Sequence, residues 1–219
     1  MTKESQRVIL FVNGPLERPE QLRAFLQPDD ILIAVDGGLR HLVTLGLTPD
    51  LILGDLDSAN PSDVEKFQNS GVPVRRYPAE KDETDLELGL SAAFDYSPAA
   101  IRIVAALGGR LDHTLGNIYL LTQPRLIQMD VRLIDGEQEV FLIRDRAALS
   151  GRPGQLVSLI PLMEPVPGVT TGNLAYPLRH ETLYPEQTRG ISNVMTADTA
   201  TISIDSGLLL CIHTCNETD

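Results

Sequence analysis

Residues 50–58 read DLILGDLDS and hold the clearest structural signal of the chain. Leu51, Ile52 and Leu53 form an apolar run without polar alternation, which is typical of a strand buried on both faces of a parallel sheet. Asp55 and Asp57 follow the run, and residues two apart in an extended segment point to the same side. The stretch predicts two neighbouring carboxylates at the carboxyl edge of a parallel sheet, where open α/β sheets bind ligands.

The charge around this acidic pair favours a metal ion. No lysine or arginine lies within five residues of Asp55 or Asp57 in the sequence. Two close, unpaired carboxylates repel each other, and the pKa of one of them should rise. A divalent cation removes this repulsion, and Mg²⁺ is commonly held by one or two carboxylates together with substrate phosphates. The alternative is a polar turn in which Asp57 or Ser58 caps the next helix.

Composition limits the classes of partner. The 219 residues include 18 basic and 30 acidic side chains, for a net charge of −12. This balance argues against nucleic acid as a partner, but it suits a phosphorylated small molecule carried with Mg²⁺, or a cationic substrate. Apolar runs such as Ile31–Val35 are far shorter than the roughly 20 residues of a membrane span. With no signal-peptide pattern at the amino terminus, we expect a cytoplasmic protein without membrane contact.

The first part of the chain alternates apolar runs with helical patterns. Further strands are predicted at Val8–Val12, Ile31–Val35, Val72–Tyr77, Ile101–Leu107 and Val131–Ile134, with the less apolar fourth strand nearer an edge. Helices are expected at 19–26, 39–47, 61–69 and 84–96, and from about residue 110. Thr84 and Glu87 form a capping-box pattern at the start of the fourth helix. The alternation predicts a mostly parallel sheet between two helical layers.

The pattern of apolar residues in the sequence changes near residue 135. Asp135-Gly136 resembles a type I′ hairpin turn, and helical periodicity disappears after it. Short β-rich runs separated by Gly and Pro follow, at Gln155–Ile160, Val169–Thr171, Ala200–Ile204 and Leu208–Ile212. Such spacing suggests a β-sandwich or barrel. We therefore expect an α/β domain over residues 1–134 and an all-β domain over residues 135–219.

Other predicted strand ends also carry Asp or Gly. Asn13-Gly14 follows the first strand and Asp36-Gly37-Gly38 the second, and glycine lets backbone N–H groups approach a ligand closely. A double glycine after the fifth strand, then Arg110, Asp112 and His113 at a helix start, suits anion binding. Each pattern has a plainer alternative: a bare turn, a surface ion pair between Arg110 and Asp112, or a polar helix cap. Their repetition along one sheet edge favours a site.

The two cysteines allow one alternative metal site. Cys211 and Cys215, with His213 between them, could bind zinc, but a structural zinc site needs four ligands and the sequence has no second cluster. The other interpretation is a terminal strand whose thiols stay reduced in a reducing compartment.

The sequence suggests phosphate chemistry but lacks the usual phosphate-binding motifs. The sequence has no G-x-x-x-x-G-K-[ST] motif, and no G-x-G-x-x-G follows a strand. The only lysines are Lys3, Lys66 and Lys81. The chain therefore fits neither a P-loop enzyme nor a protein-kinase-like phosphotransferase. The remaining simple design for phosphate chemistry is an aspartate-rich site that works through Mg²⁺.

Seven short motifs, taken in order, resemble the thiamine pyrophosphokinase family. They are DGG at 36–38, GDLDS at 54–58, KDETD at 81–85, GGRLDH at 108–113, GNLAYPL at 172–178, TRGISN at 188–193 and SGLLL at 206–210. The resemblance covers nearly the whole chain. It implies an α/β domain followed by a β-sandwich, a homodimer with shared active sites, and the conversion of ATP and thiamine into thiamine diphosphate and AMP.

The resemblance also implies roles for individual residues. Asp55, Asp57 and Asp85 would hold Mg²⁺ on the triphosphate, and Asp36 would assist as the fourth catalytic residue. The ATP-binding residues would be Asn13, Gly14, Gly37, Lys81, Gly108, Arg110, Asp112, His113 and Asn117. Thr84, Ser192 and Asn193 would bind thiamine, and Tyr176 would either contact it or lie in the core. Residues 1–134 would bind ATP and Mg²⁺, and residues 135–219 would bind thiamine and dimerise.

Two other functions remain open at this point. One is a pyrophosphokinase that acts on another small alcohol, such as a pterin, through the same aspartate cluster. The other is a non-catalytic module that binds a Mg-nucleotide. Detecting AMP rather than ADP in a substrate screen separates the first, and intact Asp55, Asp57 and Asp85 argue against the second.

Overall fold

The computed structural model describes residues 6–126 and 128–215. The chain divides into two compact units, residues 1–136 and residues 137–219. In the part that the structure describes, no helix is both long enough and apolar enough to cross a membrane.

Unit 1 (residues 1–136) is built on a parallel sheet. Its strands are β1 (Arg7–Phe11), β2 (Ile31–Val35), β3 (Leu51–Gly54), β4 (Val74–Arg76), β5 (Ala100–Val104) and β6 (Asp130–Asp135). They lie in the order β4-β3-β2-β1-β5-β6, and each neighbouring pair is parallel. The predicted parallel sheet is confirmed, and β4 lies at its edge as expected.

The helices of unit 1 follow the predicted alternation. They are α1 (Pro19–Phe25), α2 (Leu39–Leu45), α3 (Pro61–Asn69), α4 (Asp85–Ala93) and α5 (Leu111–Leu120), with short 3-10 helices at Asp36–Gly38, Phe94–Tyr96 and Pro124–Leu126. Asn60 caps α3 by accepting from the Ser62 N–H, and Gly46 ends α2 at a φ of 65°. The fourth helix is shorter than predicted because its last turn tightens into the 3-10 helix at Phe94–Tyr96.

Helices cover both faces of this sheet. Ile9 and Phe11 belong to an apolar cluster that also contains buried side chains of α1, α2 and α3. Leu10 and Val35 lie beside α4 at Gly89, where an added Cβ would be 2.8 Å from Val35 Cγ2. Glycine at this position therefore lets α4 approach the sheet closely. The two faces account for the layered α/β/α arrangement of unit 1.

Unit 2 (residues 137–219) consists of antiparallel strands. They are β7 (Gln138–Ile143), β8 (Arg146–Ser150), β9 (Leu156–Pro161), β10 (Val166–Gly172), β11 (Arg179–Leu183), β12 (Asn193–Val194), β13 (Thr199–Ser203) and β14 (Leu209–Thr214). Strands β12-β9-β14-β7 form one set and β11-β10-β13-β8 the other. One apolar cluster draws buried side chains from both sets, including Val157, Val169 and Ile202. Unit 2 is therefore a β-sandwich, as expected.

Two local predictions need correction. The type I′ turn predicted at Asp135-Gly136 is wrong, because that turn needs a positive φ at both central residues. Asp135 belongs to β6, and only Gly136 of this pair has a positive φ, of 49°. Strands β8, β11 and β12 were not predicted, because β11 is mostly polar, β12 is only two residues long, and the short apolar run of β8 is mostly alanine.

A buried ion pair stabilises the amino edge of the unit 1 sheet. Arg7 Nε donates to Asp30 Oδ1 at 2.8 Å, and Arg7 Nη2 donates to Asp30 Oδ2 at 2.7 Å. The Asp30 side chain is only 2% exposed. Arg7 Nη2 also donates to the carbonyl of Phe25 at 3.1 Å. The pair joins the start of β1 to the end of α1 and the entry of β2.

Replacing Arg7 with methionine should lower the free energy of unfolding by about 3 kcal/mol, because losing one partner leaves a buried charge uncompensated. Urea unfolding followed by circular dichroism measures this loss. The control is Arg75→Met, whose pair with Asp95 has side chains 44% and 55% exposed. That variant should lose less than about 1 kcal/mol. Equal losses in the two variants would contradict a special role for the buried pair.

Candidate active site

Three aspartates meet at the carboxyl edge of the unit 1 sheet. One carboxylate oxygen from each of Asp36, Asp55 and Asp57 lies within 4.8 Å of the other two. Asp36 is buried, Asp55 is half-buried and Asp57 is exposed, so the cluster opens toward solvent on one side. We call these three residues the aspartate cluster.

The parallel register of β2 and β3 brings these carboxylates together. Val35 lies beside Leu53, so the next residue of each segment, Asp36 after β2 and Gly54 at the end of β3, are neighbours. An added Cβ on Gly54 would lie 3.1 Å from Asp36 Cβ, and the φ of Gly54 is 135°. Glycine is needed here for both reasons, because the position has little room and an unusual backbone angle.

Strained backbone accompanies the cluster. Asp36 (φ 49°), Leu56 (φ 63°) and Ala105 (φ 56°) follow the ends of β2, β3 and β5, and each has a positive φ without being glycine. Such conformations cost free energy and persist where the surrounding structure enforces them, often at functional sites. The strain is therefore located at the same sheet edge as the aspartate cluster.

Asp36 has an unsatisfied oxygen. The residue is 6% exposed, and its Oδ1 atom has no hydrogen-bond partner among the described residues. Burial raises the pKa of Asp36, and the charges of Asp85 and Asp55 add to this effect. The polar Gly37 backbone and the Ser58 side chain nearby oppose it. A buried carboxylate oxygen without a partner is costly, and a cation would satisfy it.

The ammonium group of Lys81 lies beside the cluster. Its Nζ atom donates to Asp85 Oδ1 at 2.8 Å and lies 3.9 Å from Asp55 Oδ2. Burial acts to lower the pKa of Lys81, but Asp85, Asp55 and Asp36 outweigh it and raise the pKa above its usual value. Asp85 therefore lies next to the aspartate cluster and is paired with Lys81. The third carboxylate of the cluster belongs to Asp36.

The donor set fits a hard divalent cation. Carboxylate oxygens are the protein ligands that Mg²⁺ and Ca²⁺ prefer. Three of them lie within 4.8 Å of one another, and one belongs to Asp36, whose buried Oδ1 has no partner in the described part of the chain. Asp57 is steadied by Ser58, whose hydroxyl donates to Asp57 Oδ1 at 3.0 Å. The Asp57 backbone N–H donates to Asp55 Oδ1 at 3.2 Å.

The loop after β1 packs against the same edge. The N–H of Gly14 donates to the carbonyl of Ala105 at 2.8 Å, and an added Cβ on Gly14 would lie 2.2 Å from that oxygen. An added Cβ on Gly37 would lie 2.3 Å from Asn13 Oδ1. Both glycines therefore allow close packing between strand ends, so close approach to a nucleotide is not the only reason for glycine there.

Arg40 and His41 on α2 hold this loop, and the sequence analysis missed them. Arg40 Nη2 donates to the carbonyls of Asn13 and Gly14, at 2.8 Å each, and its Nη1 donates to Asn13 Oδ1. His41 Nε2 lies 3.0 Å from the Gly14 carbonyl oxygen. Burial, followed by the charge of Arg40, lowers the pKa of His41. The position of Arg40 and His41 about one helical turn after the D-G-G motif could have indicated that they lie near the site.

Residues at the start of α5 divide into exposed and internal groups. The Arg110 and Asp112 side chains are 72% and 64% exposed and form an ion pair at 2.5 Å, which lowers the pKa of Asp112. His113 is also exposed. Asn117 Nδ2 instead donates to the Ala106 carbonyl at 2.8 Å. The Gly108 carbonyl accepts from the Thr114 hydroxyl at 3.1 Å. The exposed group is available to a ligand, whereas the Asn117 amide connects α5 to the end of β5.

The predicted thiamine-binding residues have different surroundings. Thr84 caps α4 by accepting from the Glu87 N–H at 3.3 Å. In unit 2, Ser192 is exposed with a φ of 58°. Asn193 is 5% exposed, and its amide exchanges two hydrogen bonds with the Tyr176 backbone, at 2.9 and 2.7 Å. The Tyr176 side chain is 62% exposed, which rules out the core position considered for it.

The cysteine-containing strand forms no metal-ligand cluster of three or more residues in the part of the chain that the structure describes. Cys211 is buried within β14, and Cys215 Sγ lies 3.6 Å from His213 Nδ1. Burial, with the charge of Glu139, raises the pKa of the Cys215 thiol. Neither cysteine forms a disulfide within the described residues.

Asp36→Asn should stabilise the metal-free protein at neutral pH but not in acid. The raised pKa of Asp36 means that ionisation costs the folded state free energy above the unfolded pKa of about 3.9. The stability gain of the variant should therefore be smallest below about pH 4, grow as pH rises, and level off above the folded pKa. Urea unfolding of both proteins with a chelator, across this range, measures the difference. A gain that does not change with pH would contradict the raised pKa.

Comparison with known proteins covers both units. A family model described as thiamin pyrophosphokinase, catalytic domain, matches residues 22–133. A second model, described as thiamin pyrophosphokinase, vitamin B1 binding domain, matches residues 144–209. The first model therefore lies within unit 1 and the second within unit 2.

Relatives with known names and structures agree with these matches. Thiamine pyrophosphokinase of Bacillus subtilis (strain 168) is 30% identical over 206 residues, which are 93% of this chain and 96% of that protein. A crystal structure of the Bacillus subtilis enzyme matches with a TM-score of 0.84 at 26% identity, covering 97% of this chain and 100% of that one. The structure from Geobacillus thermodenitrificans gives 0.81 at 28% identity, covering 97% and 98%. The chain belongs to the thiamin pyrophosphokinase family.

Proposed function

We propose that the protein transfers the pyrophosphoryl group of ATP to the hydroxyl of thiamine, giving thiamine diphosphate and AMP. The observation that carries this proposal is the aspartate cluster, in which a buried Asp36 oxygen has no partner among the residues that the structure describes, in a chain of this family. The net charge of −12 also suits a cationic substrate, because an acidic protein attracts the permanent positive charge of the thiazolium ring.

We propose Mg²⁺ as the metal of this site. Asp55 and Asp57 would hold it, Asp36 would supply a third oxygen, and Asp85 would join from the first turn of α4. When bound, the ion would neutralise negative charge on the triphosphate. The aspartates would fix its position, and Lys81, which lies beside Asp55 and Asp85, would contact a phosphate. Positioning and charge neutralisation carry most of phosphoryl-transfer catalysis.

We further propose how the remaining site residues divide between the substrates. Arg110, Asp112 and His113 are exposed at the start of α5 and would contact ATP. Asn13, Gly14, Gly37, Gly108 and Asn117 would shape the nucleotide side through the loops that they hold. In unit 2, Ser192 would contact thiamine directly. Asn193 would act by holding the loop that carries Tyr176, since its amide already bonds to that backbone. Thr84 would support thiamine binding from its helix-capping position.

The identity of the released nucleotide tests the reaction. With ATP, Mg²⁺ and thiamine, AMP should appear in step with thiamine diphosphate, because pyrophosphoryl transfer requires attack at the β-phosphorus. Chromatographic separation of nucleotides and thiamine esters measures both products. ADP together with thiamine monophosphate would instead identify an ordinary kinase and overturn the proposal.

The Asp57→Asn variant tests the metal assignment in the same assay. Removing a metal ligand should lower the rate by several powers of ten, roughly 10³-fold or more. Stability should change little, because Asp57 is exposed and the substitution relieves repulsion between like charges. A variant with near-normal activity at moderate Mg²⁺ would remove Asp57 from the metal site.

We propose a homodimer in which each active site uses both chains. The catalytic and vitamin B1 binding models match different units, so residues of both units are needed for one reaction. Strands β8 and β11 also form the outer edges of their sheet, and such edges are commonly covered. A two-fold pair is the commonest assembly.

Subunit mixing tests the shared site. Asp55→Asn removes a proposed metal ligand, and Ser192→Lys adds a positive charge beside the proposed thiazolium position. Each homodimer should be nearly inactive. If sites form across chains, a mixed dimer has one site with both substitutions and one with neither, so activity should rise on mixing. Absence of rescue, with exchange confirmed by a mass-tagged subunit, would refute the shared site.

A further inference from the structure

Lys81 lies between two of the acidic groups proposed to bind metal. Its Nζ atom is 2.8 Å from Asp85 Oδ1 and 3.9 Å from Asp55 Oδ2. The Lys81 side chain is only 12% exposed, so its ammonium group is held inside the site and does not extend freely into solvent. A single ammonium group thus bridges the aspartate cluster and the first turn of α4.

The surrounding charges explain why an ammonium group is held there. Asp36, Asp55 and Asp57 bring three carboxylate oxygens within 4.8 Å of one another, and like charges at such distances repel. Asp36 also has a buried Oδ1 atom without a partner among the described residues. In the ligand-free chain, Lys81 supplies positive charge at only one side of this group, beside Asp55.

The same contacts place a limit on metal binding. An ion bound by both Asp55 and Asp85 would need the space between them, and there the Lys81 ammonium now contacts both. The bound metal ion and the Lys81 ammonium group would repel each other in this space. An ion that uses both Asp55 and Asp85 therefore requires the ammonium to move, and the ammonium would then need another anionic partner. The phosphates of a nucleotide would provide one.

We propose that Lys81 is a positioning residue that occupies the cation place between Asp55 and Asp85 in the free protein, and that moves onto phosphate when the metal and nucleotide bind together. This inference rests on the proposed metal site. It implies that the metal alone binds weakly, because it must displace Lys81 without giving it a new partner. The metal and the nucleotide then bind cooperatively, since the triphosphate accepts the displaced ammonium.

Lys81→Met tests the proposal through binding, independently of turnover. Isothermal titration of the full-length protein with MgCl₂ alone should show an affinity at least about tenfold tighter than that of the unsubstituted protein, because one neighbouring positive charge is removed. Cooperativity between Mg²⁺ and a non-hydrolysable ATP analogue should fall by a similar factor. Without metal, the melting temperature of the variant should be lower, and MgCl₂ should restore it.

Two variants control for charge and shape. Lys66→Met changes the net charge equally on α3, where Lys66 Nζ lies 5.5 Å from the centre of the Phe67 ring, and it should leave Mg²⁺ affinity unchanged. Lys81→Arg keeps the positive charge and should bind Mg²⁺ alone as weakly as the unsubstituted protein. It also serves as the second test should Lys81→Met not fold, because an Arg variant that binds Mg²⁺ tightly would overturn the proposal.

The opposite result is equally clear. If Lys81→Met binds Mg²⁺ alone no more tightly than the unsubstituted protein, Lys81 does not occupy the cation place and the proposal is wrong. Failure of the proposed function would be seen separately, as a complete assay with ATP, Mg²⁺ and thiamine that yields no AMP. The two results are independent, because titration with MgCl₂ needs neither thiamine nor turnover.

Discussion

The parallel register of β2 with β3 is the constraint on which the acidic site depends. Pairing Val35 with Leu53 places the next residues, Asp36 and Gly54, side by side. Because both runs are apolar on both faces, alternation of side chains does not select this register. The register in turn determines the distance between the carboxylates. Burial of the core and assembly of the site follow from the same pairing.

The sequence predicted the sheet well because its strands are buried on both faces. Runs such as Ile31–Val35 and Leu51–Leu53 have no alternation, and the structure places both in the centre of unit 1. Strands of unit 2 were harder to predict where one face is exposed. In β8 and β11 only Leu149 and Leu183 are fully buried, so their pattern resembles a polar loop.

The candidate site was predicted in part. Asp55 and Asp57 follow one strand, so their proximity could be inferred from spacing alone. The place of Asp36 in the same group depends on the φ of 49° that turns it inward, and no sequence pattern specifies that angle. The pairing of Lys81 with Asp85 is not a pair within a helix, because Lys81 lies before the N-cap Thr84 of α4, so helical spacing did not reveal it. Its approach to Asp55 is a tertiary contact, which spacing does not reveal.

Ion pairing differs between the two edges of the unit 1 sheet. At the amino edge, Arg7 pairs with Asp30, and Arg102 and Arg132 pair with Asp130. Burial acts to raise the pKa of Asp130, yet these two arginines outweigh it and hold the pKa below its usual value.

At the carboxyl edge, three aspartates share one lysine, which contacts only Asp55 among them. A chain can violate local rules of charge pairing at a functional site when the rest of the fold is consistent. The paired edge therefore contributes stability, whereas the under-neutralised edge holds negative charge that a bound cation would stabilise.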